Sequence, residues 1–318
     1  MNIQEIFANL TDQEKVELKT LLHADGKKSL GQSLIEKSAN NTSCPNCQSE
    51  NFVKNGKNRG IQRLKCKDCG TTFSLRTNTV VHYSHKPLVT WERYIQLMFD
   101  GYSIRKIAKE LKVSKGTAFY WRHKILSALK RIANSNLSGI VEADEVYFAL
   151  SFKGQKSGLP RKARRRGRQV KKRGTSKDQV CVLTAIDREK NDWMKPVCLG
   201  NLSKTYLDGD FAAAIAKDAV FVTDNQASYP SFAAKREMTH RLLYSRQPPK
   251  GAYHLQNVNS LHSQLKRFMR RFNGVATKYL DNYLVFWQWR NRDLLADLAS
   301  RRDAVSYRAL AGMPMALV

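Results

Sequence analysis

Two aspartates stand where a carboxylate could do chemistry. Asp144 lies inside the β-rich run VEADEVYF, and Asp224 closes the apolar run of VFVTDNQASY. An apolar strand that ends in an acid and polar turn residues suits a functional carboxylate at a sheet edge. Two such groups on neighbouring strands would repel unless a cation lay between them. Mg2+ or Mn2+ takes carboxylate oxygens together with phosphate and water, and paired ions can activate water and stabilise a leaving oxygen. Either aspartate could instead cap a turn. Glu142 and Glu145 are rival carboxylates: by strand alternation Glu142 shares the face of Asp144, and Glu145 points the other way. Far downstream, HLQNVNSLHSQLKRFMRRFNG (254–274) reads as a helix with an apolar stripe of Leu255, Val258, Leu261, Leu265 and Phe268. Asn259, His262 and Lys266 share another face, although asparagine is a poor interior helix former. His262 is read equally as a substrate-positioning group or a surface histidine.

A second constellation is made of cysteines. Cys44, Cys47, Cys66 and Cys69 form C-x2-C-x18-C-x2-C. Thiolates bind zinc tetrahedrally, and each C-x2-C pair offers two sulfurs from one tight knuckle. Strand-like segments between the knuckles, with Gly56 and Gly60 at turns, point to a zinc ribbon too small to fold without its ion. The third feature is charge. Lys and Arg number 55 against 27 acids, a net charge of +28, which suits a polyanionic partner, most simply double-stranded DNA. Twelve Lys or Arg and no acid fall between residues 153 and 177. Such density cannot pack by itself, so this tract reads as a phosphate-binding arm that includes Arg164, Arg165, Arg166, Lys171 and Lys172.

The elements that must position these groups follow from periodicity and punctuation. Residues 1–40 read as a helical segment and a polar linker, and 41–80 as the ribbon. Residues 88–132 read as three helices, the last two separated by the short break KVS, a helix-turn-helix pattern. Ser114 is set to cap the recognition helix, whose Lys115, Thr117, Tyr120 and Arg122 would meet groove and phosphate. From 138 to 312 the order is three strands, the helical segment SKTYLDGDFAAAIAKD, a strand, a helix, a strand and further helices, with the basic insertion 153–177 between the first two strands. The fold class expected is therefore multidomain α/β. No run of 18 apolar residues occurs, so no membrane span is expected, and the N-terminal acids argue against a secretion signal.

VEADEVYF, VTDNQASYP, NVNSLHSQLKR and the aromatic YLVFWQWRNR resemble, in order, the signature segments of bacterial insertion-sequence transposases of the DDE/RNase H-like superfamily. The resemblance covers roughly residues 40–292. It implies an RNase H-like mixed-sheet catalytic domain whose active site is Asp, Asp and Glu, often followed seven positions later by a basic residue. Here Asn259 takes the third position and Lys266 the basic one, as in the zinc-ribbon branch that carries Asn in place of Glu. An amide oxygen can still ligate a hard cation or a water on it, but it brings no charge and cannot act as a general base. The resemblance implies catalysis by Asp144, Asp224, Asn259 and Lys266, a structural Zn2+ and a catalytic Mg2+ or Mn2+. It also implies DNA ends and target DNA as partners, a homo-oligomer on DNA and action at the bacterial nucleoid. Two rivals remain: a DNA-binding regulator that has lost catalysis, and a metal-dependent nuclease without strand transfer.

Overall fold

The computed structural model describes residues 43–58, 60–74, 76–130, 136–155, 157–160, 175–244 and 251–291. The expected N-terminal helix, the arm residues Arg164, Arg165, Arg166, Lys171 and Lys172, and the end of the C-terminal helix lie outside the described residues. Two compact units divide the chain, one of Met1–Ala128 with Ala296–Val318 and one of Leu129–Leu295.

The first unit opens with an antiparallel sheet of β1 (Phe52–Asn58), β2 (Ile61–Cys66) and β3 (Thr72–Ser74). Its core is only Cys44, Leu64, Cys66 and Phe73, with Phe52 against them, too little apolar area to hold a fold on its own. Gly60 sits in the β1–β2 turn at φ 78°. Gly56, expected in a turn, instead lies within β1 at φ 65°, where the register slips between Lys54 and Lys57. A bulge needs that left-handed conformation, and glycine adopts it without a Cβ clash.

Three helices follow: α1 (Leu88–Phe99), α2 (Ile104–Glu110) and α3 (Lys115–Lys130). The turn between α2 and α3 passes through Lys112 at φ 50°, with the Val113 N–H donating to Ala108 O at 3.0 Å. Ser114 then caps α3 as expected, accepting the Thr117 N–H at 2.9 Å. Trp91 of α1 stacks on Trp121 of α3 at 4.0 Å, and the Tyr94 hydroxyl donates to Ala118 O.

The second unit holds a five-stranded mixed sheet in the order β6-β5-β4-β7-β8. β4 (Ile140–Ala149), β5 (Gln179–Ile186) and β6 (Asp192–Leu199) run as an antiparallel meander. β7 (Val220–Thr223) joins β4 in parallel, and β8 (His240–Leu242) joins β7 in parallel. One face buries Val141, Ala143, Leu183 and Ala185 against Phe211 of α4 (Asp210–Ala214) and Tyr229 and Phe232 of α5 (Ser228–Lys235). The other face carries α6 (Gln256–Arg270), packed on β4 and β5, and α7 (Leu280–Asn291), packed on β6. α6 buries Val258, Leu261, Leu265 and Phe268 of the stripe expected and adds His262 and Met269, while Leu255, also expected in the stripe, is the half-buried N-cap. The stretch SKTYLDGDFAAAIAKD, expected as one helix, is a 3-10 turn at Lys204–Tyr206 and the five-residue α4. Gly209, at φ 74°, breaks it, and Ile215 leaves the helix to bridge Leu137.

Candidate active site

β4 and β7 set the two aspartates side by side. Ala143 pairs with Thr223 in the parallel register; Asp144 follows within β4, and Asp224 is the first residue past the end of β7. Asp224 begins the polar turn after β7, where its Oδ1 accepts the Gln226 N–H at 3.1 Å. Asp144 sits mid-strand and half-buried, its Oδ1 accepting the Glu145 N–H at 2.8 Å. Burial pushes its carboxyl up to about 6, against the pull of that N–H; the charge of Asp224 adds to the rise and Lys266 opposes it. A carboxylate raised by burial and a like charge gains most from a cation beside it.

α6 lies over this point. His262 is buried, which removes its reading as a surface histidine. The Thr184 hydroxyl of β5 donates to Asp144 O at 2.8 Å, so it accepts from His262 Nε2–H at 2.7 Å. This bond assigns the tautomer. Nδ1 then turns its lone pair toward Asp144 Oδ2, 3.7 Å away. Burial first, and the Lys266 charge second, hold the imidazole down at about 4, so the ring is neutral at physiological pH. Lys266 is exposed one turn beyond His262, and its charge reaches both His262 and Asp144. Asn259 is exposed one turn before His262 on the same helix face.

The rival carboxylates are engaged elsewhere. Glu145 accepts the Tyr229 hydroxyl at 2.6 Å on the opposite face, and burial raises it to about 7. Glu142 does share the face of Asp144 but is 0% exposed. Its Oε1 accepts from Arg188 and, at 2.7 Å, from Asn257 Nδ2, while its Oε2 accepts the Val258 N–H at 3.0 Å. Sequence reasoning missed this network and Thr184. The signals were a threonine inside the apolar run VCVLTAI, and a helix starting at Leu255 with no side-chain cap of its own.

In the first unit, the four cysteine sulfurs lie within 4.8 Å of one another, the one such group among the described residues. Cys44 Sγ is 3.4 Å from Cys69 Sγ, and Cys47 Sγ is 3.6 Å from Cys66 Sγ. Sulfurs at tetrahedral corners about 2.3 Å from one ion would be about 3.8 Å apart, so the set fits a zinc-sized ion. Thr71, through its hydroxyl and then its N–H, holds the Cys69 thiol down, while Cys47 in the same cluster is raised, with the neighbouring thiols among the causes. On α3, Lys115 and Tyr120 are exposed and Thr117 is half-buried. Arg122, expected to reach DNA, is 2% exposed and donates to Tyr102 O at 3.0 Å. It falls on the stripe of Ala118, Ile125 and Leu129, a spacing that marks the buried face.

The second unit is thus a mixed α/β domain with adjacent strand-borne carboxylates beneath a helix carrying an amide, an imidazole and a lysine. Residues 136–292 match the family described as ISXO2-like transposase domain. Over that span the chain belongs to the insertion-sequence transposases of the DDE superfamily. It is also 35% identical over 154 residues to an uncharacterized protein in transposable element ISH50 of Halobacterium salinarum. That match covers 47% of this chain, and the chain spans 50% of the length of that relative. Similar solved structures include a pre-cleavage Mos1 transpososome, with TM-score 0.29 and 13% identity over 69% of this chain and 74% of that one. A simian T-cell lymphotropic virus intasome in complex with PP2A regulatory subunit B56 gamma has TM-score 0.32 and 10% identity, over 64% and 70%. Among the described residues, no helix is long and apolar enough to cross a membrane.

Proposed function

We propose that the protein is a DNA transposase that binds the terminal inverted repeats of its insertion sequence, cleaves each end and joins the freed 3′-hydroxyl to target DNA. The observation that carries this reading is the register of β4 and β7, which delivers Asp144 and Asp224 to adjacent positions under α6, within the segment matched to the transposase family. The sheet order and the alternation of strands and helices support an RNase H-like catalytic domain.

Asp144 and Asp224 would hold Mg2+ or Mn2+, and Asn259 would offer a neutral amide oxygen to the ion or its water. Held there, such an ion would supply the activation of an attacking oxygen, of water or of a 3′-hydroxyl, and charge stabilisation for the leaving oxygen. Lys266 meets a phosphate of the DNA end. His262, neutral and fixed by Thr184, keeps an acceptor beside Asp144 without competing as a cation. No protein nucleophile is required. The cysteine set would hold a structural zinc, and the ribbon and the α2–α3 helix-turn-helix would read the ends through Lys115, Thr117 and Tyr120. The arm of residues 153–177 would grip phosphates without choosing sequence. Bringing two ends to one target calls for a homo-oligomer on DNA.

The deciding experiment incubates the full chain with labelled DNA from the borders of its gene, carrying the inverted repeats, and with Mg2+ or Mn2+. End cleavage followed by joining to a target duplex is expected, and loss of both in Asp144→Asn and Asp224→Asn. Cleavage without joining would identify a nuclease. Binding without cleavage would identify a regulator that has lost catalysis.

A further inference from the structure

Helix α6 starts without a side-chain cap from its N-cap residue, and locally only the Gln256 N–H finds an acceptor, His254 Nδ1 at 3.3 Å. Leu255 occupies the N-cap position and has no oxygen to offer the free N–H groups of the first turn. The missing acceptor comes from another element: Glu142 Oε2, on β4, takes the Val258 N–H at 3.0 Å. The other oxygen, Oε1, takes Asn257 Nδ2 at 2.7 Å and Arg188 Nη1. Asn257 is held from its other side by Lys190 Nζ, 2.6 Å from Oδ1. Arg188 and Lys190 belong to the turn between β5 and β6, closed by the Asp187 side chain on Asn191 N at 2.9 Å. Three elements therefore meet on one fully buried carboxylate. That carboxylate is two residues from Asp144 on the same strand face, and its last donor, Val258, is the residue before Asn259.

We infer that Glu142 is a positioning residue: it straps the first turn of α6 to the strand bearing Asp144, and so fixes Asn259 and His262 against the aspartates. A site whose third member is a neutral amide depends on such a strap. Asn259 has no charge to draw it toward a cation, so its placement must come from the helix. Glu142 is fully buried and both of its oxygens already accept donors from the chain, which separates this role from that of Asp144. The negative charge at the helix start also meets the positive end of the helix dipole.

This inference rests on the transposase reading for its functional half and on geometry alone for its structural half, and the test keeps the two apart. In the full chain, Mn2+ binding is measured directly from the free-ion paramagnetic resonance signal, alongside amide exchange over residues 256–262 and end cleavage across a Mn2+ titration. Glu142→Gln is isosteric but cannot accept all three donors. It should weaken Mn2+ binding roughly 10–100-fold, the cost typical of partners one step behind a metal site. Exchange over 256–262 should quicken, and cleavage should return toward wild type at high Mn2+. Arg188→Gln and Asn257→Ala leave Glu142 in place and should move the same readouts less, with Arg188→Lys restoring part of the loss. They also serve if Glu142→Gln does not fold. A variant with lowered melting temperature but unchanged Mn2+ affinity and unchanged exchange over 256–262 would overturn the inference, since Glu142 would then be structural only. Cleavage abolished at every Mn2+ concentration would also overturn it, by making Glu142 a ligand. If wild-type protein neither binds Mn2+ nor cleaves, the transposase reading fails, and unaltered exchange over 256–262 in Glu142→Gln would still refute the strap.

Discussion

Replacing Asp144 by Asn should make the metal-free protein more stable at pH 8, although it removes a residue placed in the active site. The Asp144 carboxyl is raised from 3.8 to about 6, first by burial and then by Asp224. Each unit corresponds to about 1.4 kcal/mol, so keeping Asp144 ionised in the fold costs about 3 kcal/mol. Its side chain is 22% exposed, and solvent screening brings the expected figure nearer about 2 kcal/mol. The sign follows from linkage. A carboxyl raised in the folded state favours folding fully only below its unfolded value near 4, and that advantage disappears as pH rises through about 6. Asparagine matches the shape and keeps an oxygen for the Glu145 N–H, but never ionises. For a domain of this size, about 2 kcal/mol corresponds to roughly 4–8 °C in melting temperature. The assay is a set of thermal melts of the catalytic unit within the full chain, at pH 8, 6 and 4.5, in magnesium-free buffer without chelator so that the cysteine site is undisturbed. The variant should lead clearly at pH 8, lead by only slightly less at pH 6, and keep about a third of that lead at pH 4.5, where the unfolded carboxyl is still mostly ionised. Added Mg2+ or Mn2+ should raise the wild type and leave the variant unmoved. An Asn variant no more stable than wild type at pH 8, or equally advantaged at every pH, would refute the electrostatic reasoning.

Three other outcomes follow from the same physical picture. Freshly purified, reduced protein should contain about one zinc per chain, and stripping it should unfold the ribbon of residues 43–74 because four buried residues make too small a core; metal analysis without zinc would refute this. Asn259→Ala should reduce strand transfer by at least about 10-fold, and Asn259→Asp should retain much more activity; full activity in the Ala variant would remove Asn259 from the site. Joint replacement of Arg164, Arg165 and Arg166 by Ala should weaken binding to all duplexes alike and flatten the salt dependence by up to about 0.9 for each phosphate no longer neutralised. A weakening confined to one sequence would make the arm a reader.

The legible parts of this chain were those whose cause is local. The cysteine spacing fixes two knuckles whatever the rest of the fold does, and the sulfurs do converge. Alternation and β-rich composition gave β4, strand-like runs gave β5, β6 and β7, and the stripe of α6 gave its buried face. The resemblance implied a mixed sheet, but the parallel pairing of β4 with β7 was not legible, because register depends on distant partners. Glu142 looked like a spare carboxylate, since an acceptor's purpose lies in its donors, and those came from 46 and 115 residues further along. Arg122 was misassigned because basic character was weighed above position: its place among Ala118, Ile125 and Leu129 marked it as buried. A single glycine was enough to cut the predicted helix after β6 into a 3-10 turn and a short α4.

The basic insertion leaves and re-enters the sheet at a single rung. Ala149 is paired with Gln179, and just beyond them the Leu150 N–H donates to Asp178 O at 2.8 Å. The two ends of the insertion are therefore held at hairpin distance by the sheet itself. Closing a longer or shorter loop across such a gap costs only about 0.6 kcal/mol per doubling of length. The arm is in that sense a cassette, able to lengthen, shorten or be exchanged while the strands carrying Asp144 and Thr184 stay in place. On the proposed reading, the grip on phosphates and the geometry at the site could then vary independently along one polypeptide.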